Sequence, residues 1–370
     1  MQLVFILVAV IVLGVFFGAH YFFYCSFVRF FEITSSANKN IILGVIVFLS
    51  LSFFLATLVS HFKGGIVTRT VYFLSGFWLG LLVNLLLAAV AGWLIIWISG
   101  ALGYNINSII IGSLFFGLAL AYSIYGGWNA FEPQVKNIHV TIKNLPDQWK
   151  GKNIVQLSDI HLGHIYQAGF LEKVAQMSND LHPDIVVITG DLFDGMDGNL
   201  ASLVGPLDDL QAPDGIYFVT GNHETYLGVD KAFAVLGNTQ VVILDDAVKN
   251  INGLQLVGVS YPERGQAKDL GKTLGALTNF VPGQPTILLY HSPTSIQEAK
   301  DAGVNLQLSG HTHLGQLFPF NVITYLLYKG YDYGLHVMDD YSIYTTNGIG
   351  TWGPAMRTGN TPEIVNIILN

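Results

Sequence analysis

Five short polar clusters between residues 159 and 313 carry side chains of the types that bind divalent metal ions. Carboxylate, amide and imidazole ligands without sulfur suit a pair of such cations. Two adjacent cations can polarise a phosphate group and make hydroxide from water at neutral pH, so the clusters indicate metal-assisted hydrolysis of a phosphate ester. In chain order the clusters are Asp159-Ile160-His161, Gly190-Asp191, Gly221-Asn222-His223-Glu224, His291 and Gly310-His311-Thr312-His313.

Each cluster directly follows a segment with the apolar pattern of a short buried strand. The predicted strands cover residues 154–158, 184–189, 216–220, 286–290 and 306–309. Between them, residues 169–181 and 268–277 have helical periodicity, so this half of the chain is predicted to be α/β. In open α/β sheets the ligand crevice lies outside the carboxyl ends of the strands. Any one cluster would be weak evidence, but all five at strand ends predict loops that converge on one site.

The first third of the chain has the composition of a membrane region. Residues 1–132 hold four of the 17 basic and two of the 25 acidic residues, which leaves 13 basic and 23 acidic residues for the remainder. Four apolar runs, at residues 3–24, 41–62, 71–99 and 108–128, each approach or exceed the roughly 20 residues that a membrane-spanning helix needs. We therefore predict a four-helix membrane region at 1–132 and a globular domain at 133–370. The uncharged start of the first run argues against a cleaved signal peptide.

Charge and cysteine content exclude several other classes of protein. The single cysteine, Cys25, excludes an intramolecular disulfide framework and a cysteine-based zinc site. The acidic globular half argues against binding of a nucleic-acid polymer. Carriers usually place ionisable groups near the middle of the bilayer. The apolar runs show no such site, so an anchor that gathers a lipid substrate is favoured over a transporter.

The distribution of basic residues favours a cytoplasmic globular domain, because cytoplasmic segments are usually the richer in lysine and arginine. With both termini inside, the outer segments carry only Arg29 and Lys39. The inner segments carry Lys63, Arg69, Lys136, Lys143, Lys150 and Lys152.

The five clusters, in this order, resemble the pattern of the calcineurin-like metallophosphoesterase superfamily over residues 153–370. The stretch at 347–364 is similar to the C-terminal signature of one membrane-associated subgroup. This subgroup includes bacterial phosphoesterases and eukaryotic transmembrane proteins with a metallophosphoesterase domain, and some of its relatives hydrolyse UDP-2,3-diacylglucosamine or other lipid-linked phosphodiesters. The resemblance implies a four-layer α/β/β/α sandwich that contains a dimetal site. The protein is expected to be anchored in the plasma (inner) membrane of a bacterium.

The resemblance also implies a role for each polar residue. One metal would be bound by Asp159, His161 and His313, and the other by Asn222, His291 and His311. Asp191 would bridge both metals, and His223 would be the catalytic imidazole that is not a ligand. Four further residues are candidates for orienting imidazoles or for contacting substrate phosphate, although structural roles are open for each of them: Glu224, Asp194, His164 and Arg357.

The expected reaction is hydrolysis of a phosphodiester or pyrophosphate bond in a lipid-linked substrate, by attack of a metal-bridging hydroxide. The ligand types fit manganese, iron or zinc, and manganese is favoured. The apolar stretch at residues 316–328 either dips into the membrane interface beside the site or forms a core helix. Two alternatives stay open: hydrolysis of a soluble nucleotide or small phosphodiester, and a membrane sensor without catalytic activity.

Overall fold

The structure is a computed structural model that describes residues 2–62, 64–196, 199–263 and 265–370. Lys63, which entered the orientation argument, lies outside these ranges. The chain divides into two compact units. The first comprises residues 1–128 together with Gly353–Met356, and the second comprises Asn129–Trp352 with Arg357–Asn370.

Long apolar helices make up the first unit. They are α1 (Gln2–Phe30), α2 (Ser36–Phe62), α3 (Ile66–Ala101) and α4 (Ser108–Asn129). All four are long and apolar enough to cross a membrane, which agrees with the four predicted spans. α1, α2 and α3 extend beyond the predicted runs. Hydropathy marks the length that matches the hydrocarbon core, whereas backbone hydrogen bonding continues into the polar flanks.

Close packing between these helices depends on two glycines that leave space for the ring of Phe30. Phe30 of α1 is fully buried. A Cβ at Gly112 of α4 would lie 2.7 Å from the Phe30 Cβ, and one at Gly92 of α3 would lie 3.0 Å from its ring. Small residues let helices approach closely in lipid, where association rests on packing and not on the hydrophobic effect.

Several buried polar side chains of this unit are hydrogen-bonded within it. The indole N–H of Trp78 donates to Nε2 of His20 (3.3 Å), and Nδ1 of His20 donates to the Phe16 carbonyl (2.9 Å). The side-chain amide of Asn84 donates to the hydroxyl of Ser123 (2.8 Å). These bonds satisfy polar side chains that would be costly in hydrocarbon, and they suit a structural role.

Two six-stranded sheets form the second unit within the described residues. The strands are β1 (Gln134–Val140), β2 (Asn153–Leu157), β3 (Ile185–Ile188), β4 (Ile216–Phe218), β5 (Val242–Ile243), β6 (Ala247–Ile251), β7 (Leu254–Gly258), β8 (Thr286–Leu289), β9 (Leu306–Ser309), β10 (Gly334–Met338), β11 (Tyr341–Thr345) and β12 (Glu363–Leu369). The first sheet has the order β1-β12-β2-β3-β4-β5, and the second has the order β10-β11-β9-β8-β7-β6. In the first sheet β2 to β5 run parallel, and in the second β7, β8, β9 and β11 do.

Side-chain alternation along the strands builds a sandwich of four layers. In β2, Val155 faces a core shared with α5 (Ala168–Asn179) and α7 (Val229–Leu236), while its neighbour Ile154 faces the other sheet. In β7, Leu256 faces the core between the sheets, and Val257 packs towards α8 (Leu270–Ala276) and α9 (Ile296–Asp301). The layers are therefore helix, sheet, sheet and helix, which confirms the predicted α/β/β/α class.

The edge strands β1 and β6 were not predicted from the sequence. Most of the side chains of β1 are exposed, in the pattern of four exposed residues before the first buried one. A strand whose faces are mostly open to solvent has no apolar periodicity to detect, and β1 is held mainly by its parallel backbone pairing with β12.

Candidate metal centre

The five polar clusters lie on loops that leave neighbouring strands of both sheets. The loops after β2, β3 and β4 come from the first sheet, and those after β8 and β9 from the second. Left-handed backbone recurs in these loops, with positive φ at Asp159 (54°), His161 (54°), Asp191 (50°), His311 (75°) and His313 (49°). Residues other than glycine adopt this conformation at a cost, and such strain gathers at functional sites.

Asp159, His161 and His313 form the first set of ligand groups. Their ligand atoms all lie within 4.8 Å of one another. The Nε2 atoms of the two histidines are 3.0 Å apart, and Nε2 of His313 is 3.3 Å from Oδ1 of Asp159. All three side chains are buried. One carboxylate and two imidazoles aimed at a common point suit a divalent cation.

Asp191, His291 and His311 form the second set, also within 4.8 Å of one another. Nε2 of His291 is 3.1 Å from Oδ2 of Asp191 and 3.2 Å from the side-chain oxygen of Asn222. Asn222 therefore lies beside this set, and its role as a ligand stays a prediction. The predicted ligands thus fall into two groups.

Asp191 connects the two sets. Its Oδ2 atom lies 3.1 Å from Nε2 of His291 in the second set and 4.0 Å from Nε2 of His161 in the first. A carboxylate placed between two groups of imidazoles can bind a cation on each side. The donor chemistry and the burial of these residues fit two divalent cations, with nitrogen and oxygen ligands only.

The carboxylates and His291 stay charged in this enclosed site. Burial would raise the pKa of Asp159 and Asp191, but the surrounding imidazoles hold both well below the usual value. Burial likewise opposes the charge on His291, yet the carboxylates of Asp191 and Asp159 raise its pKa to about 10. At neutral pH, the imidazole of His291 is therefore doubly protonated and positively charged when no metal is bound.

The imidazoles of His161, His311 and His313 are neutral at neutral pH, which is the form that binds a metal. Burial, with the nearby charge of His223, lowers the pKa of His161 to about 3. Burial also lowers the pKa of His311 and of His313 to about 4. At these three histidines no proton has to leave before a cation binds.

We therefore expect metal binding to release at least one proton, because His291 must lose its proton to become a ligand. The apparent affinity should rise roughly tenfold per pH unit from about pH 6 towards the pKa of His291, and fall as the pH drops. Calorimetric titration of the metal-free protein in buffers of different ionisation enthalpy counts the released protons. His291→Asn should release one proton fewer. An affinity independent of pH between 6 and 9 would contradict this prediction.

His223, the proposed catalytic imidazole, lies beside both ligand sets and is not a member of either. Its Nδ1 donates to the backbone carbonyl of Asp194 (3.0 Å), and its backbone N–H donates to Oδ1 of Asp191 (2.8 Å). Its ring lies perpendicular to that of His161, with 4.5 Å between the ring centres. Because a carbonyl accepts only, Nδ1 carries a proton, and Nε2 is left for exchange with a substrate atom.

Glu224 is a buried support for two of the ligand loops. Its carboxylate accepts from the backbone N–H groups of Asp191 (3.0 Å), Phe193 (3.0 Å) and Gly221 (2.7 Å). Burial, with the charge of Asp191, raises the pKa of Glu224 to about 7. The side chain fixes the loop that presents Asp191 against the loop that presents Asn222.

Replacing Glu224 with glutamine is expected to weaken metal binding about 10- to 100-fold, the usual effect of removing a group that orients a ligand. An amide offers one acceptor oxygen in place of two, so at least one of the three backbone bonds is lost. Competitive titration with a chromogenic chelator measures the affinity. Glu298→Gln, on the exposed face of α9, is the matched control, and equal affinities in the two variants would refute the support role.

Asp194 and His164 lie at the edge of the site. The Oδ1 atom of Asp194 is 3.6 Å from Nδ1 of His161. Burial raises the pKa of Asp194 to about 7, while the nearby charges of His223 and His164 oppose the rise. The Asp194 side chain thus lies beside one predicted ligand, and its backbone carbonyl orients the predicted catalytic imidazole of His223. Half-buried His164 lies within electrostatic range of Asp194.

Arg357 is fully buried, and this enclosed position fits structural support, one of the two roles that the sequence left open beside substrate contact. Its guanidinium donates to the carbonyls of Gly350 (3.1 Å) and Asn347 (2.9 Å) and lies 3.2 Å from Nδ1 of His313. Another N–H donates to the side chain of Asn360. These contacts hold the C-terminal loop against the first ligand set.

Three tyrosines next to the site were not identified from the sequence: Tyr226, Tyr261 and Tyr328 lie beside its imidazole rings. Only Tyr226 had a usable signal, because it follows His223 by three residues on α6 (Asn222–Leu227) and such residues share a helix face. The other two are brought in by the fold alone.

Comparison with known proteins agrees with the geometry. Residues 152–315 match the model of the calcineurin-like phosphoesterase family. The chain is 33% identical over 67% of its length to a "Transmembrane protein with metallophosphoesterase domain" of Danio rerio, and 37% identical over 67% to the protein of the same name from Bos taurus. It spans only 60% of the length of each. It is also 32% identical over 68% of its length to an "Uncharacterized metallophosphoesterase" of Aquifex aeolicus, of which it covers 97%.

The fold and the site together are those of a metallophosphoesterase domain, in a chain that also carries four membrane-length helices. The chain belongs to the calcineurin-like phosphoesterase family.

Proposed function

We propose that this chain hydrolyses a phosphodiester or pyrophosphate bond in a membrane-embedded or amphipathic, lipid-linked substrate. The observation that carries the hydrolytic part is the meeting of the two ligand sets at Asp191, whose Oδ2 lies within 4.0 Å of an imidazole from each. In this proposal the globular domain acts at the cytoplasmic face of a bacterial plasma membrane, as the distribution of lysine and arginine favours.

In the proposed reaction, some residues bind the metal ions and another transfers a proton. Asp159, His161 and His313 would hold one cation, Asn222, His291 and His311 the other, and Asp191 both. When bound, the cations supply Lewis acidity towards the phosphate and lower the pKa of water. In its doubly protonated form, His223 is placed to pass the proton on Nε2 to the departing oxygen, while the bond from Nδ1 to the Asp194 carbonyl keeps the ring in the orientation for that transfer.

Support for a lipid substrate comes from α10 (Phe320–Leu327), which has no buried residue. Large apolar side chains stand open on it, among them Leu326 (69% exposed) and Leu327 (70%). An exposed apolar patch of this kind marks an interaction surface. Because the same chain carries four membrane-length helices, a lipid surface is the partner that fits.

The position of α10 is fixed to the metal centre. The hydroxyl of Thr324 on α10 donates to the Asp332 carboxylate (2.8 Å). The hydroxyl of Thr312, between the two ligands of the last cluster, donates to the Asp332 carbonyl (2.7 Å). A lipid that contacts α10 would therefore be held next to the catalytic loop.

Replacing Phe320, Ile323 and Leu326 with serine tests this proposal. We expect hydrolysis of a phosphodiester lipid in vesicles to fall about tenfold or more, since three exposed apolar side chains lose their contact with lipid. Hydrolysis of soluble bis(p-nitrophenyl) phosphate should stay within about twofold of wild type. Val337→Ser, at a position that is 67% exposed on β10, is the control. A parallel loss on both substrates would favour a soluble nucleotide or small phosphodiester as substrate.

A further inference from the structure

Three tyrosines that the proposed chemistry does not use surround the imidazoles of the site. The ring of Tyr226 lies 5.3 Å from that of His223. The ring of Tyr261 lies 5.8 Å from those of both His291 and His311. We call Tyr226, Tyr261 and Tyr328 the tyrosine collar; Tyr328 packs perpendicular to His311, with 6.0 Å between ring centres.

The collar comes from three separate parts of the fold and meets in one space. Tyr226 lies on α6, Tyr261 follows β7, and Tyr328 is the residue at the end of α10. Tyr261 and Tyr328 both pack against the ring of His311, and Tyr226 packs against the ring of His223, so the three tyrosines border the same site.

The collar is open to a ligand and is held in place. Tyr226 is 56% exposed, although it lies beside the predicted catalytic imidazole. Tyr261 and Tyr328 are half-buried. The backbone N–H of Tyr261 donates to the hydroxyl of Thr220 (3.0 Å), two residues before Asn222. The collar therefore has a fixed position relative to the second ligand set.

Resting on the proposed phosphoesterase function, we propose that the tyrosine collar receives an uncharged ring, a sugar or a nucleobase, carried on the phosphate that is attacked. Tyrosine offers a flat apolar face for stacking and a hydroxyl for hydrogen bonding, which suits rings that carry polar substituents. An acyl chain needs neither property, and α10 already offers an apolar surface for it. The collar thus selects the head group, and α10 contacts the lipid.

The experiment compares two diesters that have the same leaving group. Bis(p-nitrophenyl) phosphate retains a ring on the phosphate when p-nitrophenol leaves, whereas methyl p-nitrophenyl phosphate retains a methyl group. The full chain is assayed in detergent with manganese, and the ratio of the two kcat/KM values is measured for wild type, Tyr226→Leu and Tyr226→Phe. Tyr104→Leu, at an exposed tyrosine between α3 and α4, is the control.

Wild type should prefer the diester that retains a ring. Tyr226→Leu should lower the ratio by roughly tenfold, the size of one stacking contact, with metal content unchanged. Tyr226→Phe, which keeps the ring face, should retain most of the preference. An equal fall on both diesters would show that the collar only braces the imidazoles, and the proposal would be overturned. A wild-type protein that cleaves neither diester would instead refute the proposed hydrolytic function, on which this inference depends.

Discussion

Asp191→Asn is expected to lower kcat/KM for a chromogenic phosphodiester by roughly a thousandfold or more and to reduce the bound metal to less than two ions per chain. Asp191 is the carboxylate that reaches both ligand sets, at 3.1 Å from His291 and 4.0 Å from His161. Metal-based charge stabilisation is worth several kcal/mol, and about 4 kcal/mol corresponds to a thousandfold in rate.

The Asp191→Asn test needs metal analysis after dialysis together with rates at saturating manganese. Asp180→Asn, at an exposed position just after α5, controls for the loss of one negative charge. Equal rates in wild type and Asp191→Asn would favour a membrane sensor over an enzyme. A normal metal content with a large loss of rate would show that the bridging charge acts in catalysis more than in binding.

His223→Gln is expected to lower kcat about 10²- to 10⁴-fold while both metals stay bound, the usual effect of losing a general acid. The loss should depend on the leaving group. p-Nitrophenol departs as a stable anion and needs little protonation, whereas an alcohol needs a proton. The rate should therefore fall further for an alkyl diester than for a p-nitrophenyl diester.

The same variant distinguishes another role for His223. Ligand atoms of His161, Asp194 and His223 also lie within 4.8 Å of one another, so His223 is close enough to be a metal ligand. If His223→Gln loses a metal ion and slows both diesters by the same factor, His223 is a ligand and the acid role is refuted. Elemental analysis beside the two rates separates the two roles.

The positions of the polar clusters at strand ends could be predicted because each cluster depends on a local signal. A buried strand such as β3 (Ile185–Ile188) is a run of apolar residues, and the polar residue that follows it is chemically distinct. The membrane helices were equally clear, because a hydrocarbon core requires continuous apolar sequence.

The features that could not be predicted from the sequence depend on contacts between residues that are distant along the chain. Arg357 was a candidate for contacting substrate phosphate, with a structural role left open, and only the fold shows that it is enclosed between Asn347, Gly350 and His313. α10 was left open between a core helix and an interface helix, since apolar composition is the same for both. Tyr261 had no signal at all, because only the packing of the loop after β7 brings it against His291.

The ligand groups are shared between the two sheets: Asp159, Asp191 and Asn222 follow strands of the first, whereas His291 and His311 follow strands of the second. Cations held there would cross-link the two sheets of the sandwich. The reaction centre would then coincide with a mechanical joint of the domain. Selection for tight metal binding and selection for a durable sandwich would therefore act on the same few atoms.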